Sequence, residues 1–158
     1  MKNLLLPIML FTALISFGQA TVIDVKANKT MISQLANAVK QLAQAEKNYA
    51  MLEKASDKVE KVSTAIKSVN EIGIFLKMQT EILSNVKIVL NAKNKRVSAQ
   101  KIDQLLNSTT MSIANVKNLL SNSFFSLNDK ERLDLLKEQK KTIGIELLRS
   151  RMYAKSVQ

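Results

Sequence analysis

The sequence predicts an all-α fold, an elongated helical bundle with a long N-terminal helix and a coiled-coil-like seam, and three features of the chain point there. Turn formers are scarce: the 158 residues include three glycines and one proline, and that proline, Pro7, lies in the extreme N-terminal region. Apolar residues recur at steps of three and four over most of the length, the spacing that gathers them on one face of a helix. Aromatic residues make up 4% of the chain and tryptophan is absent, so material for a sheet core is thin. Ala, Leu, Lys, Gln, Glu and Met supply helix propensity instead.

Residues 1–20 read as an export signal. Lys2 precedes an apolar run from Leu4 to Phe17 that closes on Ser16-Phe17-Gly18-Gln19-Ala20. A run this short falls below the roughly 20 residues a membrane helix needs, and its small-residue exit suits a signal peptidase. Cleavage is expected after Gly18 or Ala20, and with no cysteine at the exit the chain is not a lipoprotein. Residues 21–158 then form one helical domain, expected in the periplasm or on the cell surface of a Gram-negative bacterium. Loss of the signal lowers the net charge from +11 to +10. Although an exported chain is free to form disulfides, this one has no cysteine, so its stability must come from apolar burial or association.

Thr21-Val22-Ile23-Asp24-Val25 alternates apolar and polar residues and suggests a short extended lead-in. A first helix follows, with Thr30 as its cap and Ile32, Leu35, Val39, Leu42 and Tyr49 as its stripe, Glu46 taking one position of the row. The stripe resumes at Leu52, Ala55, Val59, Val62, Ile66 and Val69. The three-residue step from Tyr49 breaks heptad phase, which overwinds a coiled coil locally. So narrow a stripe is a helix-to-helix seam, packed either within its own bundle or against a partner. Asn70 and Gly73 mark a bend over residues 68–73, read as a turn, with a kinked continuous helix as the alternative.

The second helix is expected to run to about Ala92, with a broader apolar face at Ile72, Phe75, Leu76, Ile82, Leu83, Val86, Val89 and Leu90. Residues 91–96 form a basic loop, and Ser98 stands where a cap for the third helix is wanted. That helix carries Ile102, Leu105, Leu106, Met111, Ile113, Val116, Leu119 and Leu120. Its middle is weakened by Ser108, Thr109, Thr110 and Ser112, which predicts a bend. Asn128 and, three residues on, Glu131 form a capping-box pattern, so a fourth helix starts at Asp129. Four acids lie between Asp129 and Glu138, whereas beyond them Lys140, Lys141, Arg149, Arg151 and Lys155 face the single acid Glu146, complementing the helix dipole at both ends. Four such helices joined by short connections suit an antiparallel bundle, and the lack of a longer repeat argues against a solenoid.

Chemistry is poorly provided for. Histidine and cysteine are both absent, which removes the commonest general base, the thiol nucleophile and the preferred zinc ligands. The carboxylates Asp129, Glu131 and Asp134 are explained by capping and the dipole, and glycines at 18, 73 and 144 are too far apart for a phosphate loop. The sequence thus assigns no catalytic, cofactor-binding or metal residue, and the chain reads as a protein that is not an enzyme. Its cations are dispersed and lack interleaved aromatics, which argues against nucleic acid and leaves an acidic partner or a membrane surface. Met31, Met51, Met78 and Met111 read as adaptable packing residues.

After the signal, Thr21-Val22-Ile23-Asp24 and then Ile32-Ser33-Gln34-Leu35-Ala36-Asn37-Ala38-Val39-Lys40-Gln41-Leu42 resemble the start of mature TrbJ-like conjugal transfer proteins. Leu127-Asn128-Asp129-Lys130-Glu131-Arg132-Leu133 is similar to a stretch of short relatives from conjugative elements. The resemblance implies an exported minor component at or near the pilus tip of a type IV secretion apparatus, contacting other pilus or channel subunits and recipient cells, with no catalytic residue; no cofactor is expected, and self-association is a separate expectation. The rival expectation is a periplasmic holding chaperone resembling the Skp family, which shares the length, the charge and the lack of cysteine.

Overall fold

The computed structural model of the chain describes residues 25–56, 63–93, 96–120 and 127–158. It is all-α: four helices and, among the described residues, no strand. We label them α1 (Val25–Ser56), α2 (Ser63–Asn91), α3 (Ala99–Leu119) and α4 (Asp129–Val157). The expected signal with its expected cleavage positions Gly18 and Ala20, and the expected lead-in from Thr21 to Asp24, lie outside the described residues, as do Val59, Val62 and Phe124-Phe125.

Three helix boundaries differ from those expected, the first being that α1 ends at Ser56 and α2 starts at Ser63, so the stripe expected to continue along one helix to Val69 is divided between two. Helix α1 is under way by Val25, so Thr30 sits within the helix and does not cap it. Helix α2 runs unbroken through residues 68–73, where a turn was expected. The reason is contact between helices: a Cβ on Gly73 would stand 2.7 Å from the Tyr49 hydroxyl, so this glycine makes room for an α1 ring. Its lack of a side chain serves packing and leaves the helix intact.

Helices α3 and α4 start where the sequence places them, by different means. Asn128 Oδ1 accepts from the Glu131 amide at 3.0 Å, and Glu131 Oε2 accepts from the Asn128 amide at 3.0 Å, closing a reciprocal capping box at the head of α4. Ser98 occupies the cap position of α3, but its side chain makes no cap bond. Only its carbonyl engages the helix, accepting from Lys101 and Ile102. Helix α3 continues through its hydroxyl residues, two of which bond back to it: Thr109 Oγ1 donates to the Leu105 carbonyl at 2.7 Å and Thr110 Oγ1 to the Leu106 carbonyl at 2.8 Å.

Successive helices run antiparallel, α1 against α2 through Glu46–Thr80 and Tyr49–Gly73, and α3 against α4 through Ser108–Glu146. The two hairpins then lie side by side in the same sense. Glu71 meets Lys140, Glu81 meets Arg151 and Asn85 meets Ser150, so α2 runs parallel to α4, while Gln34 meets Asp103 where α1 runs beside α3. Helices α2 and α3 each pack on the other three, and α1 and α4 stand at opposite corners. Neighbours around the bundle are therefore not all antiparallel. One core runs through all four helices, with Ile72, Phe75, Ile82, Leu106, Ile113 and Ile143 fully enclosed.

Candidate interaction faces and a buried polar layer

The inward row of α1 is Met31, Leu35, Ala38, Leu42, Ala45, Tyr49 and Leu52, buried or half-buried throughout. Its steps alternate four and three without interruption, so the phase break expected after Tyr49 does not occur. Leu35, Leu42, Tyr49 and Leu52 of the expected seam belong to this row, but Ile32 and Val39 do not. They are 50% and 48% exposed. Ala38 and Ala45 take the inward positions instead, since small side chains let a corner helix sit close on two neighbours. Glu46 points outward, where its carboxylate accepts from Thr80 Oγ1 at 3.3 Å. Ile66 stands in the first turns of α2, and Val69 is buried.

Ile32 and Val39 belong to a second row of α1, with Ala36 and Ala43, also at alternating four and three and exposed at every position, which Glu46 interrupts before Ala50. Beside it runs a shallow groove whose α1 wall is Leu35, Val39 and Ala43 and whose α2 wall is Thr80, Ser84 and Lys87, with Leu42 and Leu83 beneath. Along the outer edge Lys40, Lys47 and Lys54 recur at seven-residue steps. Of the methionines, Met31 is buried and Met78 packs on the core, but Met51 and Met111 are 56% and 69% exposed and so contribute surface.

The middle of the bundle carries a polar layer that sequence reading misses. Gln79 and Glu146 are 0% and 2% exposed. They hold corresponding places in the inward rows of α2 (Val69, Ile72, Leu76, Gln79, Leu83) and α4 (Leu136, Gln139, Ile143, Glu146, Ser150). Both turn to α3. Gln79 Nε2 donates to Ser112 Oγ at 2.8 Å, and Ser108 Oγ donates to Glu146 Oε1 one helical turn away. Gln79 Oε1 and Glu146 Oε2 accept no hydrogen bond among the described residues. Burial pushes the Glu146 carboxyl above the usual carboxylate range, against the opposing help of Ser108, Arg149 and Ser112. The signal was present as hydroxyl residues at i and i+4 on the apolar face of α3, a spacing that aims Ser108 and Ser112 the same way.

Ion pairs fasten α2 to α4 from outside. Arg151 grips Glu81 with two bonds, Nε to Oε1 at 2.6 Å and Nη2 to Oε2 at 2.9 Å, and holds that carboxyl below its ordinary range. Lys140 Nζ reaches Glu71 Oε1 at 3.2 Å. At the head of α4 the buried Arg132 binds Asp129 at 3.0 Å and the Leu127 carbonyl at 2.9 Å. Among the described residues no group of three acidic, histidine or cysteine side chains is placed to hold a metal ion, and no helix is long and apolar enough to cross a membrane. Comparison with known protein families, curated proteins and solved structures finds no match.

Proposed function

We propose that the protein is a non-catalytic assembly component of an envelope apparatus of the conjugative, type IV secretion class, a minor pilus or pilus-tip-associated subunit. It acts by laying exposed helix faces against helices of neighbouring subunits. The observation that carries this reading is the second row of α1. Ile32, Ala36, Val39 and Ala43 keep heptad spacing beside a buried row of the same spacing, yet they stay exposed among the described residues. Alternation of a branched aliphatic with alanine suits a helix seated closely along α1, and the lysines at its edge favour acidic flanks on that partner. The stretches similar to TrbJ-like proteins, of which residues 32–42 lie in α1 and residues 127–133 at the head of α4, suggest the class of the apparatus. Export follows from the reading of residues 1–20.

The test is genetic and local. Deleting the gene from a conjugative element that carries it should abolish or sharply reduce transfer, and Val39→Asp should do the same while leaving the unfolding midpoint near that of the parent protein. Unchanged transfer in the deletion strain defeats the proposal. If transfer is untouched and the purified protein instead keeps an unfolded porin from aggregating, the holding-chaperone reading replaces it.

A further inference from the structure

The C-terminal half of α4 presents a surface that its own bundle does not use. Beyond Glu138 the chain carries five cations and one acid, and the fold turns that acid, Glu146, inward to 2% exposure. What remains outside is cationic and apolar. Ile145, Leu148 and Met152 follow one another at steps of three and four and are 42%, 61% and 60% exposed. They lie on the crest of the helix, opposite the buried row of Gln139, Ile143, Glu146 and Ser150. Lys140 and Arg151 are engaged by Glu71 and Glu81 of α2. Lys141, Arg149 and Lys155, all exposed, border the crest itself.

We propose that this crest adsorbs to an anionic lipid surface, with α4 lying in the plane of the headgroups and Ile145, Leu148 and Met152 dipping into the boundary. Two features favour a lipid sheet over a protein groove-binder. A crest is convex, so it meets a flat, deformable surface with all three apolar side chains at once, whereas a partner helix needs a groove to lie in. The cations stand around the apolar residues with no exposed acid from this half of α4 among them, the complement of a continuous negative field. No described helix is long and apolar enough to cross a bilayer, and the contact proposed for α4 is a peripheral one. This surface is separate from the α1 row and does not depend on the pilus reading.

Vesicle sedimentation tests it, using the protein as its expressing cells make it and variants with the same N-terminus. The probes are vesicles of phosphatidylcholine alone and vesicles with roughly one third phosphatidylglycerol. The parent protein should partition into the anionic vesicles roughly a hundredfold better than into the neutral ones at low salt, with the preference shrinking as salt rises. The triple change Ile145→Gln, Leu148→Gln, Met152→Gln should weaken that binding at least about tenfold, and Lys141→Gln, Arg149→Gln, Lys155→Gln should erase the preference for anionic lipid. Both sets replace exposed residues with a good helix former, so thermal unfolding should stay near the parent midpoint. The control pair Ile32→Gln, Val39→Gln should bind vesicles like the parent. Parent-like binding by the crest triple, equal loss in the control pair, or failure of the parent to bind anionic vesicles overturns the proposal. So does loss of a protein partner by the crest triple with vesicle binding intact, which makes the crest a protein interface.

Discussion

The two hairpins solve the same packing problem with different materials. In the first, α1 and α2 bury mainly aliphatic and alanine side chains with Phe75, and among the described residues Ser68 and Gln79 are their buried polar ones. The second buries Thr109, Ser112, Arg132, Gln139, Glu146 and Ser150. Apolar contacts are non-directional, so the first hairpin owes its alignment to shape: alanines at the corner, and a glycine where the Tyr49 ring presses in. Hydrogen bonds are directional, and the second hairpin is aligned on the first by Gln79–Ser112, Asn85–Ser150 and the pairs from α4 to Glu71 and Glu81. Burial supplies cohesion in one, and polar contacts supply register between the two.

The largest effect that would break this contrast is a charge in the first hairpin. Leu42→Asp puts a carboxylate where the side chain is 5% exposed, with no partner, and should cost about 3–5 kcal/mol or unfold the chain in a denaturant titration. Ser112→Ala strikes the second hairpin's register by orphaning the Gln79 amide, and should cost about 1–3 kcal/mol by the same titration. The paired change Ser112→Ala, Gln79→Leu should recover part of that loss, since no buried polar group is then left unmatched at that contact. A loss that is simply additive would show that the two side chains are not coupled.

Glu146 sharpens the comparison through pH. Its carboxyl titrates higher in the folded protein than in the unfolded chain, so the folded state binds the proton more tightly there. Below the ordinary carboxylate range both states are protonated and the burial penalty vanishes. As pH rises through that range toward the raised value, the unfolded chain ionises first and stability falls. Glu146→Gln should therefore stabilise the fold above that window, with the gain fading as pH drops through it, measured as unfolding midpoint against pH. A constant difference at every pH would mean that Glu146 is not the titrating group.

Two glycines give a smaller, paired test. An added Cβ at Gly144 meets nothing within 4 Å, so Gly144→Ala should gain about 1 kcal/mol of helix propensity. Gly73→Ala must push the Tyr49 ring aside and should forfeit that gain or reverse it. The smallest effect belongs to the exposed Glu81–Arg151 pair: replacing Arg151 should barely move the unfolding midpoint, and salt should erase what difference there is.

What could be read from the sequence follows from how local each determinant is. The helical class, the start of α4 at Asp129 and the near-end of α2 rest on propensity and capping within a few residues, and the structure has them where the pattern predicts. The inward face of α1 is not local. Ile32 and Val39 outrank Ala38 and Ala45 in apolarity, but at a corner touching two helices the closest approach favours the smaller side chains, so the row lies one residue away from the greasiest one. Gly73 misled for the same reason, since its role is written in Tyr49 on another helix. Ser108 and Ser112 looked like weakness in α3 because their partners, Glu146 and Gln79, sit in α4 and α2. The exposed rows on α1 and α4 were hidden by mixing with alanine and lysine, and only the placement of the helices separates them from core.

The side-by-side arrangement of like-directed helices has a kinetic consequence. Each hairpin closes through near neighbours along the chain, whereas the contacts between α2 and α4 join residues 65, 69 and 70 positions apart. As the polypeptide emerges from one end, the first hairpin is complete while α4 is still unmade, and the α2 flank that carries Glu71, Glu81 and Asn85 is still without its partner. Docking of the late-arriving half is then the slow, non-local event, and the interval before it is when the nascent protein is most exposed to wrong partners.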